Sequence, residues 1–208
     1  MMKTFSQYIT EKYTPKQGTL NVFDIDDTLL KTTARVGIKK DGKLVKRLNS
    51  GEFNHYTLKD GESFDFGQFR DAKHFRETSK PIDKMFNKAK AIIANQKGHS
   101  RSILLTARSD MDDRETFLQT FRDHGFPIDQ VHVERAGNLS RYKADIKPST
   151  SKIVILRRYI KSGYYNKIRV YDDSTKNLEA ILSLKNLHPE IEIEAWYVKE
   201  DGSVNRFR

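Results

Sequence analysis

Apolar positions along the chain keep two different rhythms. Leu20, Val22 and Phe23 make a short apolar strand that runs straight into Asp24-Ile25-Asp26-Asp27-Thr28-Leu29-Leu30. Residues 102–106 (Ser-Ile-Leu-Leu-Thr) read as a buried-type strand, and residues 130–133, 167–171 and 190–198 as three more. Between them the period changes to that of a helix. Ile82, Met85, Phe86, Ala89, Ile92 and Ile93 form one apolar stripe, ended near Gly98. Phe117, Leu118 and Phe121 mark a helix over 114–124, closed by Gly125 and Pro127. Pro148-Ser149-Thr150 opens a third helix with Ile153, Leu156, Tyr159 and Ile160 on its apolar face, and residues 175–187 read as a fourth. Regular alternation of this kind predicts an α/β fold: a five-stranded, mainly parallel sheet covered by helices on both faces.

Residues 31–80 break the rhythm. Val36 and Ile38 alternate before an Asp41-Gly42 turn, with Leu44 and Leu48 after it, which is the pattern of a β-hairpin. Residues 53–58 read as a further strand, followed by a stretch rich in Gly and Phe over 61–69. The region is polar and lacks a helical period, so the expectation is a small β-rich flap inserted into one domain that spans residues 19–208. Residues 1–18 precede it as an amphipathic helix, with Phe5, Tyr8 and Ile9 at helical spacing, and a Thr14-Pro15 break.

Composition narrows the partners. The 208 residues suffice for one domain plus a modest insertion. A net charge of +10 favours polyanions such as nucleotides or nucleic acid, although Lys and Arg also coat ordinary soluble surfaces. There is no cysteine, which removes disulfides and thiolate metal sites. No apolar run approaches the roughly 20 residues that span a bilayer, so the expectation is a soluble, cytoplasmic protein without a membrane partner.

Candidate chemistry gathers at three strand ends. Asp24, Asp26 and Asp27 follow the first strand, Thr106 and Arg108 end the second, and Asp172-Asp173-Ser174 end a later one. Parallel strands put such ends on one edge of the sheet, where α/β folds build their sites. Each signature has a structural explanation taken alone: Asp173-Ser174 can cap a helix, and Thr106 can satisfy a turn. Clustered carboxylates are costly without a cation, and that cost points to a hard metal ion.

These motifs resemble the haloacid-dehalogenase-like (HAD) superfamily of Mg²⁺-dependent phosphohydrolases, a Rossmannoid three-layer sandwich. Asp24-Ile25-Asp26-Asp27-Thr28 matches its first motif, Thr106 its second and Asp172-Asp173 its acidic fourth. The resemblance implies Asp24 as nucleophile, giving an aspartyl-phosphate, and Asp26 as general acid and then base. It implies Mg²⁺ held by Asp24, the Asp26 backbone carbonyl and Asp172, with Asp173 behind it and Thr106 on a phosphoryl oxygen. An acid at position 26 favours hydrolysis, because the superfamily's ATP-driven pumps carry Thr there and its phosphonatases Ala. A lysine is also required, and Lys143, Lys147 and Lys152 all qualify; Lys152, 20 residues before Asp172, is placed as in the phosphatase domain of polynucleotide kinase-phosphatases. Thr28, Lys147 and Arg108 are expected to touch substrate, though Arg108 could equally pair with Asp110 or Asp112. Glu134 to Asn138 follow a strand and are candidates for the pocket wall, and His132 reads as a strand residue.

The substrate expectation is a nucleotide or nucleic-acid end phosphate, with the flap aromatics Phe53, Tyr56, Phe64, Phe66 and Phe69 either stacking on a base or forming the flap's own core. The competing classes are a non-catalytic basic phage protein on the same scaffold and a small-metabolite phosphatase. The phage connection comes from Met2 to Glu11, which resemble the leader of proteins packaged in large tailed-phage heads; there a protease cuts after a hydrophobic-x-Glu triplet, matched by Ile9-Thr10-Glu11.

Overall fold

β1 (Thr19–Phe23) lies inside a six-stranded sheet in the computed structural model, which describes residues 17–140 and 148–208. The N-terminal helix and leader expected over residues 1–13, and Lys143 and Lys147, fall outside the described residues. In chain order the flap region contains β2 (Leu30–Lys31), β3 (Val36–Lys40), β4 (Lys43–Leu48), α1 (Ser50–His55), β5 (Glu62–Asp65), α2 (Ala72–Thr78) and β6 (Lys80–Pro81). Then come α3 (Asp83–Ala94), β7 (Arg101–Thr106), α4 (Arg114–Asp123), β8 (His132–Arg135), α5 (Gly137–Ser140) and α6 (Pro148–Lys161). The chain closes with β9 (Lys167–Asp172), α7 (Thr175–Leu182), α8 (Leu184–Leu187), β10 (Glu192–Val198) and β11 (Val204–Phe207).

The sheet order is β11-β10-β9-β1-β7-β8, with every pairing parallel except β10 with β11. A mixed α/β fold with a mostly parallel sheet therefore stands, but the strand count is six rather than five. The extra strand is a hairpin return after Val198. It is short, only half of its four residues are apolar, and its turn is set by Gly202 at φ +78°. Two buried layers sandwich the sheet. Phe23, Leu104 and Tyr171 face Met85 and Phe86 of α3 and Phe117 and Phe121 of α4 on one side. Leu20, Val22, Ile168 and Val170 face Ile155 and Leu156 of α6 and Leu178 and Ile181 of α7 on the other. A fully buried side chain of this size contributes about 1.5–3 kcal/mol relative to an exposed one, so these layers fix where the strand ends lie.

Three other expectations change. Residues 53–58 are not a strand, because Asn49 accepts from Glu52 N–H while Glu52 reaches back to Asn49 N–H, a capping box that starts α1. The helix expected over 175–187 divides at Ser183, whose hydroxyl donates to the Ala180 carbonyl at 2.6 Å. The strand expected over 130–133 begins two residues later, after a single 3-10 turn at Ile128–Gln130.

The flap hairpin forms around Asp41-Gly42, both at positive φ (51° and 78°), and β5 pairs with the free edge of β3. Val36, Ile38 and Leu48 pack with Phe53, Tyr56, Phe64 and Phe69. At the base, β2 pairs with β6 and anchors both ends of the excursion to the sheet domain.

Candidate active site

The carboxyl ends of β1, β7 and β9 share one edge because these strands run parallel and adjacent, in the order β9-β1-β7. Asp24 follows β1 directly, and its N–H donates to the Tyr171 carbonyl at 3.0 Å, continuing the ladder onto β9. Phe23 and Tyr171, opposite each other in register, stack with ring centroids 5.1 Å apart. The two acids that follow them, Asp24 and Asp172, are thereby fixed side by side.

Lys152 enters from α6. Its Nζ donates to Asp24 Oδ1 and Asp172 Oδ2, both at 2.6 Å. Lysine and both acids are almost fully withdrawn from water. Burial disfavours the Lys152 ammonium, but the charges of Asp172 and Asp24 outweigh it and hold the group charged well above its ordinary range. Asp172 is further tied down by Asn177 Nδ2 at 3.0 and 3.1 Å and by Ser174 N–H at 2.9 Å. Asp24 Oδ2, by contrast, has no hydrogen-bond partner among the described residues.

Asp26 is held from the other side. Arg108 forks onto it, Nε reaching both oxygens at 3.1 and 2.9 Å and one terminal nitrogen reaching Oδ1 at 2.6 Å. Thr32 donates to Oδ1 at 2.8 Å, and the Thr106 hydroxyl lies 3.5 Å from Oδ2 while accepting from Arg108 N–H at 3.1 Å. Burial pushes Asp26 up, but the Arg108 guanidinium outweighs it and leaves the carboxyl below its ordinary range. Arg108 is 4 % exposed, lies over the rings of Phe69 and Phe75, and donates to the Phe69 carbonyl at 3.1 Å. It is buried rather than a surface partner of Asp110 or Asp112, and its fork is directed at Asp26.

Asp27 and Asp173 lie further out. Asp27 takes φ 55°, and its N–H donates to the Leu30 carbonyl, so it shapes the turn that returns the chain to β2. Thr28 is fully buried: its hydroxyl accepts from Asp173 N–H at 3.1 Å and donates to Asp173 Oδ1 at 3.3 Å. Thr28 thereby staples the β1 loop to the β9 loop. Burial, then the charges of Asp172 and Asp27, push Asp173 up to about 7. Burial, opposed by Lys152 and reinforced by Asp172, Asp173 and Asp26, also pushes Asp24 well above its ordinary value.

Five carboxylates, Asp24, Asp26, Asp27, Asp172 and Asp173, thus meet two buried cations, Lys152 and Arg108. Burial first, and then the neighbouring carboxylates, raise Asp24, Asp27 and Asp173. Among the described residues no three His, Cys, Asp or Glu side chains form a metal-binding group. A site built on Asp24 and Asp172 needs only two, completed by the Asp26 carbonyl, which accepts no hydrogen bond from a described residue, and by water. That donor set suits Mg²⁺, which is commonly bound through one or two carboxylates and keeps several waters.

A cavity of about 620 Å³ opens beside this cluster, lined by Asp27 and Asp173, by Thr32 and Arg35 at the flap root, by Tyr197 near the end of β10 and by Glu200 beyond it. Thr32, Asn177, Tyr197 and Arg35 carried no sequence signal beyond their distance from the motifs. Phe53, Tyr56, Phe64 and Phe69 form the flap's own core, with Phe53 against Phe64 at 5.0 Å, while Phe66, 5.8 Å from Phe53, stays exposed. Glu134, Arg135 and Asn138 line a separate, smaller hollow of about 270 Å³, where Glu134 accepts from Tyr159. His132 opens β8, exposed. No described helix is long and apolar enough to cross a membrane. Comparison of the chain with protein-family models, with curated proteins and with solved structures finds no match.

Proposed function

We propose that the protein is a Mg²⁺-dependent phosphomonoester hydrolase of the HAD type, acting on the phosphate of a nucleotide or nucleic-acid end. The observation that carries the reading is the state of Asp24: one oxygen is held by Lys152, which also holds Asp172, while the other has no hydrogen-bond partner among the described residues, at the sheet edge where Asp27 and Asp173 line a cavity. The motif resemblance assigns the same residue as nucleophile on independent grounds.

Asp24 Oδ2 attacks phosphorus, the bond to the leaving oxygen breaks, and that oxygen keeps the electron pair. Asp26 supplies the proton it needs. Water then attacks the phosphorus of the aspartyl-phosphate, Asp26 takes its proton, and free phosphate departs with Asp24 restored. The Arg108 fork keeps Asp26 ionised, the state required for the water step, so the first step begins with a proton taken up by Asp26. Lys152 offsets negative charge throughout, because it is pinned by two acids and cannot swing away. Held by Asp24, Asp172 and the Asp26 carbonyl, Mg²⁺ would neutralise charge between a phosphate dianion and a carboxylate that otherwise repel.

The test is hydrolysis of a generic aryl phosphate with and without Mg²⁺, in the native chain and in Asp24→Asn. Turnover that needs Mg²⁺ and vanishes in the variant supports the reading. No turnover on aryl, sugar and nucleotide phosphates alike would sink it.

A further inference from the structure

Half of the chain's net charge sits on one hairpin. Residues 35–48 contain Arg35, Lys39, Lys40, Lys43, Lys46 and Arg47 against Asp41 alone, a net +5 of the chain's +10. Lys39 pairs with Asp65 at 3.0 Å, but Arg35, Lys40, Lys43, Lys46 and Arg47 form no ion pair among the described residues. Five of the six residues of β4 are exposed, including Leu44 and Val45.

The flap itself uses part of this charge, with Lys40 facing Glu62 of β5 in register and Lys46 lying 5.7 Å from the Tyr56 ring, but it does not require the rest. Lys40 and Lys43 are directly opposite in the ladder, and like charges in that position are destabilising. A local choice that works against the fold indicates a demand from outside it. The hairpin is also rooted at the cavity: Arg35, just before β3, and Asn49, just after β4, both line its wall. The basic strands therefore lead outward from the mouth of the cavity that adjoins Asp27 and Asp173. At about 620 Å³ that cavity is of the size that takes one small molecule or nucleoside, not a duplex.

We propose that the flap hairpin is the docking track for a single nucleic-acid strand, whose terminal nucleotide enters the cavity while the phosphates behind it follow Lys40, Lys43, Lys46 and Arg47. The substrate is then a strand end and not a free nucleotide. This rests on the phosphohydrolase reading for its chemistry, but the surface itself can be tested without it.

The experiment uses Asp24→Asn as a non-turnover protein, with and without the triple change Lys40→Ser, Lys43→Ser and Arg47→Ser at the exposed hairpin. Binding of a fluorescent single-stranded oligonucleotide with a 3′-phosphate is followed by anisotropy across a salt series. Loss of three phosphate contacts lowers the slope of log K against log[salt] by about 2 and weakens binding at ~0.1 M salt about tenfold or more. In the catalytically intact chain the same triple change leaves kcat/KM for an aryl phosphate within about twofold while raising KM for the oligonucleotide about tenfold. Unchanged oligonucleotide affinity and slope would overturn the proposal, as would binding to anionic lipid vesicles with none to the oligonucleotide. Strand binding that the triple change abolishes, in a protein that hydrolyses no phosphate, would uphold the track and sink the enzymatic reading.

Discussion

Lys152 Nζ lies 2.6 Å from Asp172 Oδ2, with both side chains 1 % exposed, and the same ammonium reaches Asp24 at an equal distance. Removing one member of a buried ion pair leaves its partner uncompensated, which costs about 3–5 kcal/mol. Lys152→Met is therefore expected to lose about 3 kcal/mol or more near neutral pH, read by denaturant unfolding. Adding Asp172→Asn to Lys152→Met removes one stranded charge and restores part of the loss. A double variant no more stable than Lys152→Met would show that the pairing is not the source.

The carboxylate-rich edge was legible in the sequence because it is built from strand ends, and strand ends follow from apolar runs. Asp24, Thr106 and Asp172 needed only the parallel order of β1, β7 and β9 to converge. What hid was whatever depended on side-chain direction. Arg108, two residues past Thr106, looked like a surface or substrate group. Only the placement of Phe69 and Phe75 over it shows that the guanidinium turns inward to Asp26. Thr28 likewise pairs with Asp173 across 145 positions, a contact that no local pattern encodes. The α1 capping box is present in the sequence, at Asn49 and Glu52, but the spacing over 53–58 reads as a strand.

Glu194 sets an acid limit on stability. It sits in β10 opposite Arg169 of β9, which donates to it at 2.7 Å, while Lys167 lies 2.9 Å away. Burial pushes it up, but those hydrogen bonds and charges win and lower it from 4.5 to about 2. A carboxyl depressed on folding stabilises fully above its unfolded value and loses that contribution as pH falls toward the folded one. Native protein should exceed Glu194→Gln by on the order of 1–3 kcal/mol near pH 6. The gap should close between pH 4.5 and about 2, and a gap that stays constant across that window would contradict the assignment.

Gly137 reaches the site from behind. Its N–H donates to the Arg108 carbonyl, and a Cβ there would meet Ser109 N at 2.6 Å and the Arg108 carbonyl carbon at 2.7 Å. These neighbours are backbone and cannot rotate aside. Gly137→Ala is expected to cost about 1–3 kcal/mol by overpacking and to lower turnover by displacing the loop that carries Arg108. A variant as stable and as active as the native chain would mean that the loop yields freely.

The last prediction separates the two halves of the reaction. Arg108 holds both oxygens of Asp26 and ties another arm to the Phe69 carbonyl, which links the flap to the group proposed to transfer the proton. Lysine keeps the charge but cannot reproduce a planar fork, and a mobile Asp26 is a poor base for water. An aryl leaving group needs little protonation, so Arg108→Lys should still transfer the phosphoryl group to Asp24 from an aryl phosphate. Hydrolysis of the aspartyl-phosphate should then become the slow step. The expected signature is a burst of aryl product approaching one equivalent of protein, followed by a steady state slowed about tenfold or more. The phosphorylated chain should be visible by intact mass after acid quench. Native-like kinetics without a burst would free Asp26 from Arg108, and a loss of both phases would place Arg108 in binding or folding instead.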